Sequence, residues 1–145
     1  MILAGDHIYK MDYQAMIKTH RANNADLTVA ALQVTVEEAK SFGVMAIDQE
    51  QRIVGFDEKP EHPQTVPGDD NIALASMGVY VFSARFLFEQ LLRDANDPDS
   101  NHDFGKNIIP SIIDDHRVFA YPFRDENKKN QAYCCLLYTS DAADE

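Results

Sequence analysis

The sequence has few cysteines, the residues that disulfide frameworks and many structural zinc sites need. Its two cysteines, Cys134 and Cys135, are adjacent and lie close to the end of the chain. Zinc ligands and disulfide-bonded cysteines are normally spaced along a sequence, so this pattern predicts neither kind of site. Internal repeats and low-complexity stretches are also lacking. The 145 residues are enough for a single domain with its own core.

Positive charge is scarce as well. The chain carries 13 lysines and arginines against 24 aspartates and glutamates, for a formal net charge of −11. This balance argues against a nucleic acid or an anionic membrane as partner. An anionic substrate is still compatible with this net charge if a metal ion and one or two nearby cationic side chains supply positive charge. No apolar run is long enough to span a membrane, and the first residues do not resemble a signal peptide, so we expect a cytoplasmic protein.

What the sequence does contain is an alternation of strand and helix patterns. An apolar run ends at Gly5-Asp6, and Asp12 can cap a helix that continues to about Asn24. His20 falls on the apolar stripe of this helix, where a packed surface histidine is a better interpretation than a metal ligand. The run at 27–34 predicts a strand covered on both faces. Strand, helix and strand in this order predict a βαβ unit with a parallel pair.

The middle of the chain predicts a capping box, a hairpin and a loop. Thr35 and Glu38 have the spacing of a capping box that opens a short helix. Residues 42–48 and 52–56 predict two strands of an antiparallel hairpin. The segment 61–71 has two prolines and no periodicity, so it predicts an exposed loop, either a plain connection or an excursion over a site.

The remaining elements complete an α/β domain. Residues 74–83 predict a strand, and residues 84–93 predict a helix. Its predicted buried side consists of Phe86, Leu87, Leu91 and Leu92. Asp103 can cap a last helix that Pro110 should kink or interrupt. Its predicted inward-facing residues are Ile108, Ile109, Ile112 and Ile113. A strand at 118–123 closes a mixed sheet flanked by helices.

Several polar residues occur where strands meet loops. Asp6 follows the first strand, where a carboxylate can hold a divalent cation over a phosphate or simply start a turn. Lys59 suits a phosphate as a point charge, and Glu58 could accept hydrogen bonds from sugar hydroxyls. Gly43 could mark a bulge or a close approach to a ligand. Ser76 has no nearby histidine that would make it a nucleophile.

Taken together, five motifs in this order and spacing resemble those of the bacterial glucose-1-phosphate adenylyltransferases. The resemblance runs from Met1 to about Tyr133. The motifs are Gly5-Asp6-His7-Ile8-Tyr9-Lys10, Phe42-Gly43-Val44-Met45, Glu58-Lys59-Pro60, Leu74-Ala75-Ser76-Met77-Gly78-Val79-Tyr80-Val81-Phe82 and His102-Asp103-Phe104-Gly105-Lys106-Asn107-Ile108-Ile109-Pro110.

The resemblance implies a nucleotide-diphospho-sugar transferase fold and the conversion of ATP and glucose 1-phosphate to ADP-glucose and pyrophosphate. It implies Asp6 as the catalytic aspartate and a ligand of Mg²⁺. It also implies a sugar-phosphate site that includes Gly43, Glu58, Lys59 and Ser76. ATP and glucose 1-phosphate are therefore the expected partners, and the parent enzyme is expected to be a homotetramer.

The sequence also departs from that family at both ends. The glycine-rich nucleotide loop expected before Met1 and the second aspartate expected after Tyr133 have no counterpart here. Residues 1–133 are therefore expected to be part of a catalytic domain that is incomplete at both ends and inactive by itself. Residues 134–145 resemble a translated sequencing adapter, which predicts a non-native tail.

Two other functions stay open at this point. A related sugar-1-phosphate nucleotidyltransferase could use TTP, UTP or GTP, since the base-reading loop of the family lies outside the motifs present. A non-catalytic sugar-phosphate-binding regulatory subunit could share the fold. The presence of both Asp6 and Lys59 favours an enzyme over that second alternative.

Overall fold

The computed structural model describes residues 1–4 and 11–123, which form a mixed sheet with helices on both faces. The strands are β1 (Ile2–Leu3), β2 (Leu27–Thr35), β3 (Gly43–Ile47), β4 (Ile53–Glu58), β5 (Thr65–Val66), β6 (Asp69–Phe82) and β7 (Val118–Pro122). The helices are α1 (Tyr13–Ala22), α2 (Val36–Ala39), α3 (Ala84–Ala95) and α4 (Ile109–Ile112), with a π-helical turn at Phe104–Ile108. Asp6 and residues 134–145 lie outside the described residues, so the predictions for them stay predictions.

The sheet confirms the predicted α/β class but corrects one pairing. Its order is β4-β3-β6-β2-β7, and β1 and β5 also pair with β6. Strands β2 and β7 are parallel. The predicted pairing of β1 with β2 is wrong, because Tyr80 of β6 is in register with Ile2 on one edge and with Val29 on the other. A helical crossover makes two strands parallel, but it does not decide whether another strand lies between them.

Helices on both faces of the sheet explain the nearly continuous apolar run of β2. Leu27, Val29 and Ala31 belong to the core beneath the π-helical turn and α4. Ala30 belongs to the opposite core, where α1 contributes the fully buried Met16. Successive residues of a strand point to opposite faces, so both sets of side chains are removed from water. The predicted two-sided burial of this strand is confirmed.

The first helix begins where the sequence predicts. The Asp12 carboxylate accepts a hydrogen bond from the Ala15 N–H at 3.1 Å, which satisfies one of the free amide groups of the first turn. His20 is packed as predicted, but it is buried rather than on the surface. Its Nδ1 lies 2.8 Å from the hydroxyl of the fully buried Thr28.

The predicted capping box and hairpin are both confirmed. The Glu38 N–H donates to the Thr35 hydroxyl, and the Glu38 carboxylate accepts from the Thr35 N–H. Strands β3 and β4 form an antiparallel pair that places Gly43 opposite Glu58. Both features depend on residues close together in sequence, which is why local spacing predicts them well.

The prediction of a loop without strands at 61–71 is wrong. Strand β5 pairs with the first part of β6, which begins five residues earlier than the sequence suggested. Gly68 connects the two strands with φ of 90°, a conformation that glycine adopts without steric cost. The prolines obscured this pairing, because proline is tolerated beside short edge strands.

The buried side of α3 is only partly as predicted. Phe86 is buried and Leu87 packs against the core. Leu91 and Leu92 are 37% and 65% exposed, so their predicted burial is wrong. Gln90 occupies the buried position instead. A helix places positions three to four residues apart on one face, and Phe86 and Gln90 share that face.

The last helical segment agrees with the prediction in its cap and its buried side. The Asp103 carboxylate accepts from the Gly105 and Lys106 N–H groups at 2.8 and 2.9 Å. Ile108, Ile109 and Ile112 are buried, and Ile113 packs against the same core. Pro110 follows the π-helical turn in the first turn of α4, which is the predicted break. None of the described helices is both long and apolar enough to cross a membrane.

Candidate functional site

A cleft of about 580 Å³ opens where β1, β3, β4 and β6 meet the π-helical turn. It brings together three of the sequence-predicted site residues, Gly43, Glu58 and Ser76. These residues come from three different strands, so only the folded sheet makes them neighbours. The cleft is also lined by Tyr80 and by residues of the His102–Pro110 motif that the sequence had not assigned to a site.

Gly43 lets the side chains of β4 approach the neighbouring strand closely. A Cβ atom at this position would lie 2.6 Å from Phe56 Cζ and 3.0 Å from Glu58 Oε2. Real carbon atoms do not approach that closely, so any larger residue would displace the Phe56 ring or the Glu58 carboxylate. Gly43 does not mark the bulge of this pair, because the β3–β4 register shifts between Ala46 and Ile47. The atoms close to Gly43 belong to two side chains of β4, so the predicted close approach to a ligand stays a prediction.

A second glycine also lies close to the Glu58 carboxylate. A Cβ atom at Gly105 would lie 2.6 Å from Glu58 Oε2 and 3.4 Å from Asp103 Oδ1. Gly105 is buried in the π-helical turn, which packs against β4. The Glu58 carboxylate thus occupies a slot between two glycines on separate elements.

The electrostatic environment of Glu58 disfavours its negative charge. Burial raises the pKa of the Glu58 carboxyl, and the nearby Asp103 carboxylate raises it further. The Lys59 and Lys106 ammonium groups offset part of this pKa increase. A carboxylate in such a place gains from any ligand that donates hydrogen bonds to it, because those bonds replace lost water.

Strand β6 forms the floor of the cleft through a local irregularity at Gly78. Gly78 has φ of 67°, and the register with β2 shifts in this region. The Gly78 N–H donates to the Ser76 hydroxyl at 3.3 Å, and the Gly78 carbonyl accepts from the Ala4 N–H at 2.9 Å. Ser76 and the end of β1 are thereby held at the same place.

Aromatic rings form one wall of the cleft. The Tyr80 ring stacks on the Phe104 ring with centroids 5.4 Å apart, and Phe104 contacts Phe82 at 5.7 Å. Burial raises the pKa of the Tyr80 phenol, and the Ser76 hydroxyl offsets part of that increase. The wall therefore combines apolar ring faces with hydroxyl groups, a composition suited to one face of a sugar ring.

Lys59 lies beside the cleft rather than in its lining. It follows Glu58 at the end of β4, its side chain is exposed, and its N–H donates to the Phe42 carbonyl at 3.0 Å. Its φ of 49° is uncommon for a residue with a side chain. A flexible ammonium at the rim of a cleft can reach a phosphate group that protrudes from it.

The first predicted site residue, Asp6, lies outside the described residues. Leu3 and Ala4 of the preceding segment line the cleft. In the part of the chain that the structure describes, no group of three histidine, cysteine, aspartate or glutamate side chains could hold a metal ion. The described residues therefore supply no complete metal site by themselves.

Sequence reasoning missed Tyr80, Phe104 and Gly105 as cleft residues, and it treated Asp103 only as a helix cap. All four belong to motifs that carried the resemblance. The spacing of these residues does not reveal that the π-helical turn packs against β4. Membership in the motifs was therefore the only signal in the sequence that could have assigned them to the cleft. The buried Gly105 is visible as a constraint only once Glu58 is seen beside it.

Comparison with known proteins points in one direction. A family model described as nucleotidyl transferase matches residues 1–133. A glucose-1-phosphate adenylyltransferase of Rhodopirellula baltica is 58% identical over 133 residues, which cover 92% of this chain and 30% of that protein. Glucose-1-phosphate adenylyltransferase 2 of Alkalilimnicola ehrlichii is 55% identical over 142 residues, 98% of this chain and 33% of that protein. The chain thus spans about a third of the length of these relatives.

Proposed function

The chain belongs to the nucleotidyl transferase family, and from this premise we propose that it forms the sugar-phosphate-binding part of a glucose-1-phosphate adenylyltransferase. Relatives that carry this name are 52–58% identical to it. The reaction of the longer protein would join ATP and glucose 1-phosphate to give ADP-glucose and pyrophosphate. The adenylyl name of these relatives favours ATP over TTP, UTP or GTP.

The observation that carries the proposal is the convergence of Gly43, Glu58 and Ser76 on one cleft. Glu58 would accept hydrogen bonds from sugar hydroxyls, which would offset the desolvation of its carboxylate. The aromatic wall of Tyr80 and Phe104 would contact the sugar ring. Lys59 at the rim would hold the phosphate as a point charge.

The proposed reaction requires mainly that the two substrates be held in the correct relative position. A phosphate oxygen of glucose 1-phosphate would attack the α-phosphorus of ATP, forming one phosphorus–oxygen bond as the bond to pyrophosphate breaks. Two anions must approach for this to happen, so a lysine at the sugar-phosphate side would lower their repulsion. The residues of this chain would hold the nucleophile, with its sugar fixed by Glu58 and its phosphate by Lys59.

We propose Asp6 as the catalytic aspartate and a ligand of Mg²⁺, which would supply charge stabilisation at the transferring phosphorus. The support is that Ala4, two residues earlier in the chain, lines the same cleft. Paramagnetic broadening of the Ala4 and Gly78 amide signals by Mn²⁺ should occur in the wild type and disappear in Asp6→Asn. Persistence of the broadening in the variant would contradict this assignment.

The proposals for partners, oligomeric state and cellular location rest on the net charge and on the family resemblance. The net charge of −11 disfavours nucleic acids and anionic membranes as partners. The resemblance to the adenylyltransferases supports a homotetrameric parent and a place in the cytoplasm.

Titration calorimetry with glucose 1-phosphate tests the sugar-phosphate assignment on this chain. We expect binding by the wild type and at least tenfold weaker binding by Lys59→Ala, because the variant loses the phosphate's point-charge partner. Lys18→Ala is the matched control, since Lys18 is an exposed lysine on α1. Its affinity should equal that of the wild type.

Glucose 6-phosphate serves as the ligand control in the same titration. It carries the same charge, but its phosphate is attached at the other end of the sugar, so it should bind more weakly. Equal affinity for both phosphates, or equal losses in Lys59→Ala and Lys18→Ala, would contradict the proposal.

A further inference from the structure

The loop between α3 and the π-helical turn is closed by one carboxylate. Asp94, near the end of α3, accepts a hydrogen bond from the Ser100 hydroxyl, and its second carboxylate oxygen is hydrogen-bonded to His102 Nδ1 at 2.8 Å. The His102 N–H in turn donates to the Ser100 hydroxyl at 3.0 Å. We call these three residues, Asp94, Ser100 and His102, the Asp94 clasp. The Asp94 side chain is only 12% exposed, although the loop itself is largely on the surface.

The clasp holds an unfavourable backbone conformation. His102 has φ of 57°, in the left-handed region that residues with a side chain rarely adopt. Such conformations persist only where surrounding contacts fix them, and they are common at functional sites. The side chain of His102 bonds to Asp94 and its N–H bonds to Ser100, so both contacts stabilise the same backbone turn.

The residues that follow this turn form the cleft wall. Asp103 comes directly after His102 and accepts from the Gly105 and Lys106 N–H groups. Phe104 stacks on Tyr80. Gly105 confines the Glu58 carboxylate. The direction in which the chain leaves His102 therefore contributes to where these three wall residues lie, together with the stacking of Phe104 on Tyr80.

We propose that Asp94 is a positioning residue for the sugar-phosphate cleft, acting through Ser100 and His102 on the wall formed by Asp103, Phe104 and Gly105. Asp94 does not line the cleft, so it would influence a ligand only through that wall. This inference rests on the proposed function for its ligand. The geometry of the wall can also be measured without any ligand, which separates the two.

Asp94→Ala tests the clasp directly. We expect its dissociation constant for glucose 1-phosphate to rise about tenfold, with changed Gly105 and Lys106 amide signals and a weaker nuclear Overhauser effect between Phe104 and Tyr80. Asp94→Asn keeps an oxygen acceptor for Ser100, so it should recover part of the affinity and the wild-type signals.

Asp97→Ala is the matched control. Asp97 is an exposed carboxylate of the same loop, and it accepts from the Asp99 N–H without contacting His102. This variant should lose loop stability yet keep wild-type affinity and wild-type signals at Gly105 and Phe104. Equal losses in Asp94→Ala and Asp97→Ala would overturn the proposal, as would unchanged affinity in Asp94→Ala.

Binding of glucose 1-phosphate by the wild type determines how a lack of binding in Asp94→Ala is interpreted. If it binds no glucose 1-phosphate, the proposed function fails, and the Gly105 amide and the Phe104–Tyr80 contact alone decide the role of Asp94. Changes at both in Asp94→Ala, absent in Asp97→Ala, support positioning. Unchanged signals at both overturn it.

Discussion

At the scale of single residues, the site depends on two glycines, whose lack of a side chain leaves room for the Glu58 carboxylate. Gly43 and Gly105 lie on different elements, and each would place a Cβ atom against the Glu58 carboxylate. Adding a Cβ atom should have a different effect at each position, because the neighbouring atoms differ in how freely they can move. At Gly43 the nearest atom belongs to the buried Phe56 ring, whereas at Gly105 it is the end of the Glu58 side chain.

Substituting each glycine by alanine should separate stability from binding. Gly43→Ala should lower the free energy of unfolding by about 1–3 kcal/mol, because the packed Phe56 ring must shift. Gly105→Ala should cost less stability, since a carboxylate end can rotate away, but it should weaken glucose 1-phosphate binding by displacing Glu58. Urea unfolding and titration calorimetry measure the two effects. Equal stability losses in both variants would contradict this difference.

At the scale of elements, α3 packs against the sheet with only part of its apolar surface, and the rest of that surface stays exposed. Phe86 is buried, with ring centroids 6.5 Å from Phe82 and 4.7 Å from His116. Leu92 is 65% exposed although its residue type is equally apolar. The apolar pattern of the sequence fits both faces, and only the position of the sheet selects one of them.

The two faces of α3 should respond differently to truncation. Phe86→Ala should lower the free energy of unfolding by about 3–5 kcal/mol, because it leaves a cavity between α3 and the sheet. Leu92→Ala should change that free energy by less than about 1 kcal/mol, since little apolar area is buried there. Chemical denaturation of both variants gives the comparison. A loss at Leu92 as large as that at Phe86 would indicate that this face is covered in solution.

The π-helical turn is the second element that decides the site. The Asp103 carbonyl accepts from both the Asn107 and Ile108 N–H groups, and the Ile109 N–H reaches back to the Phe104 carbonyl. This wider turn ends two residues before Pro110, which has no N–H to continue a regular helical hydrogen-bond ladder. π-helical turns are rare and frequently occur at functional sites. Here the turn carries the Gly105 side of the Glu58 slot.

At the scale of the whole molecule, a buried polar network joins α1, β2 and the end of β6. His20 Nδ1 is bonded to the Thr28 hydroxyl, and its Nε2 lies 3.4 Å from the Ser83 hydroxyl. The Ser83 hydroxyl donates to the Ala25 carbonyl, so it accepts from His20 Nε2–H. The neutral imidazole therefore has a partner at each ring nitrogen, and protonation would place a charge in a buried site.

Global stability should consequently fall as the solution becomes acidic. Burial lowers the pKa of His20 below its ordinary value of 6.5, despite the nearby Asp26 carboxylate. The unfolded chain then binds a proton at a higher pH than the folded chain does. His20 contributes full stability above about pH 6.5, and this contribution is lost as pH falls through its lowered pKa.

Urea unfolding between pH 7.5 and 5.5 measures this dependence. The free energy of unfolding of the wild type should fall more steeply with decreasing pH than that of His20→Gln, which cannot titrate. Comparing the two slopes removes contributions from other groups, including Glu58, whose raised pKa acts in the opposite direction. Parallel slopes would refute the role of His20.

Local features of this protein were predictable because they depend on neighbours in sequence. The caps at Asp12, Thr35 and Asp103 each join residues within four positions, and the β3–β4 hairpin follows from two apolar runs around a short polar link. The motifs also pointed to Gly43, Glu58 and Ser76 before any geometry was known.

The arrangement of these features in space was decided by tertiary packing alone. Spacing could not reveal that β6 lies between β1 and β2, since parallel direction does not imply adjacency. It could not choose the buried face of α3, because both faces are apolar. Nor could it place Gly105 against Glu58, because that contact joins distant segments that meet only when the π-helical turn packs on β4.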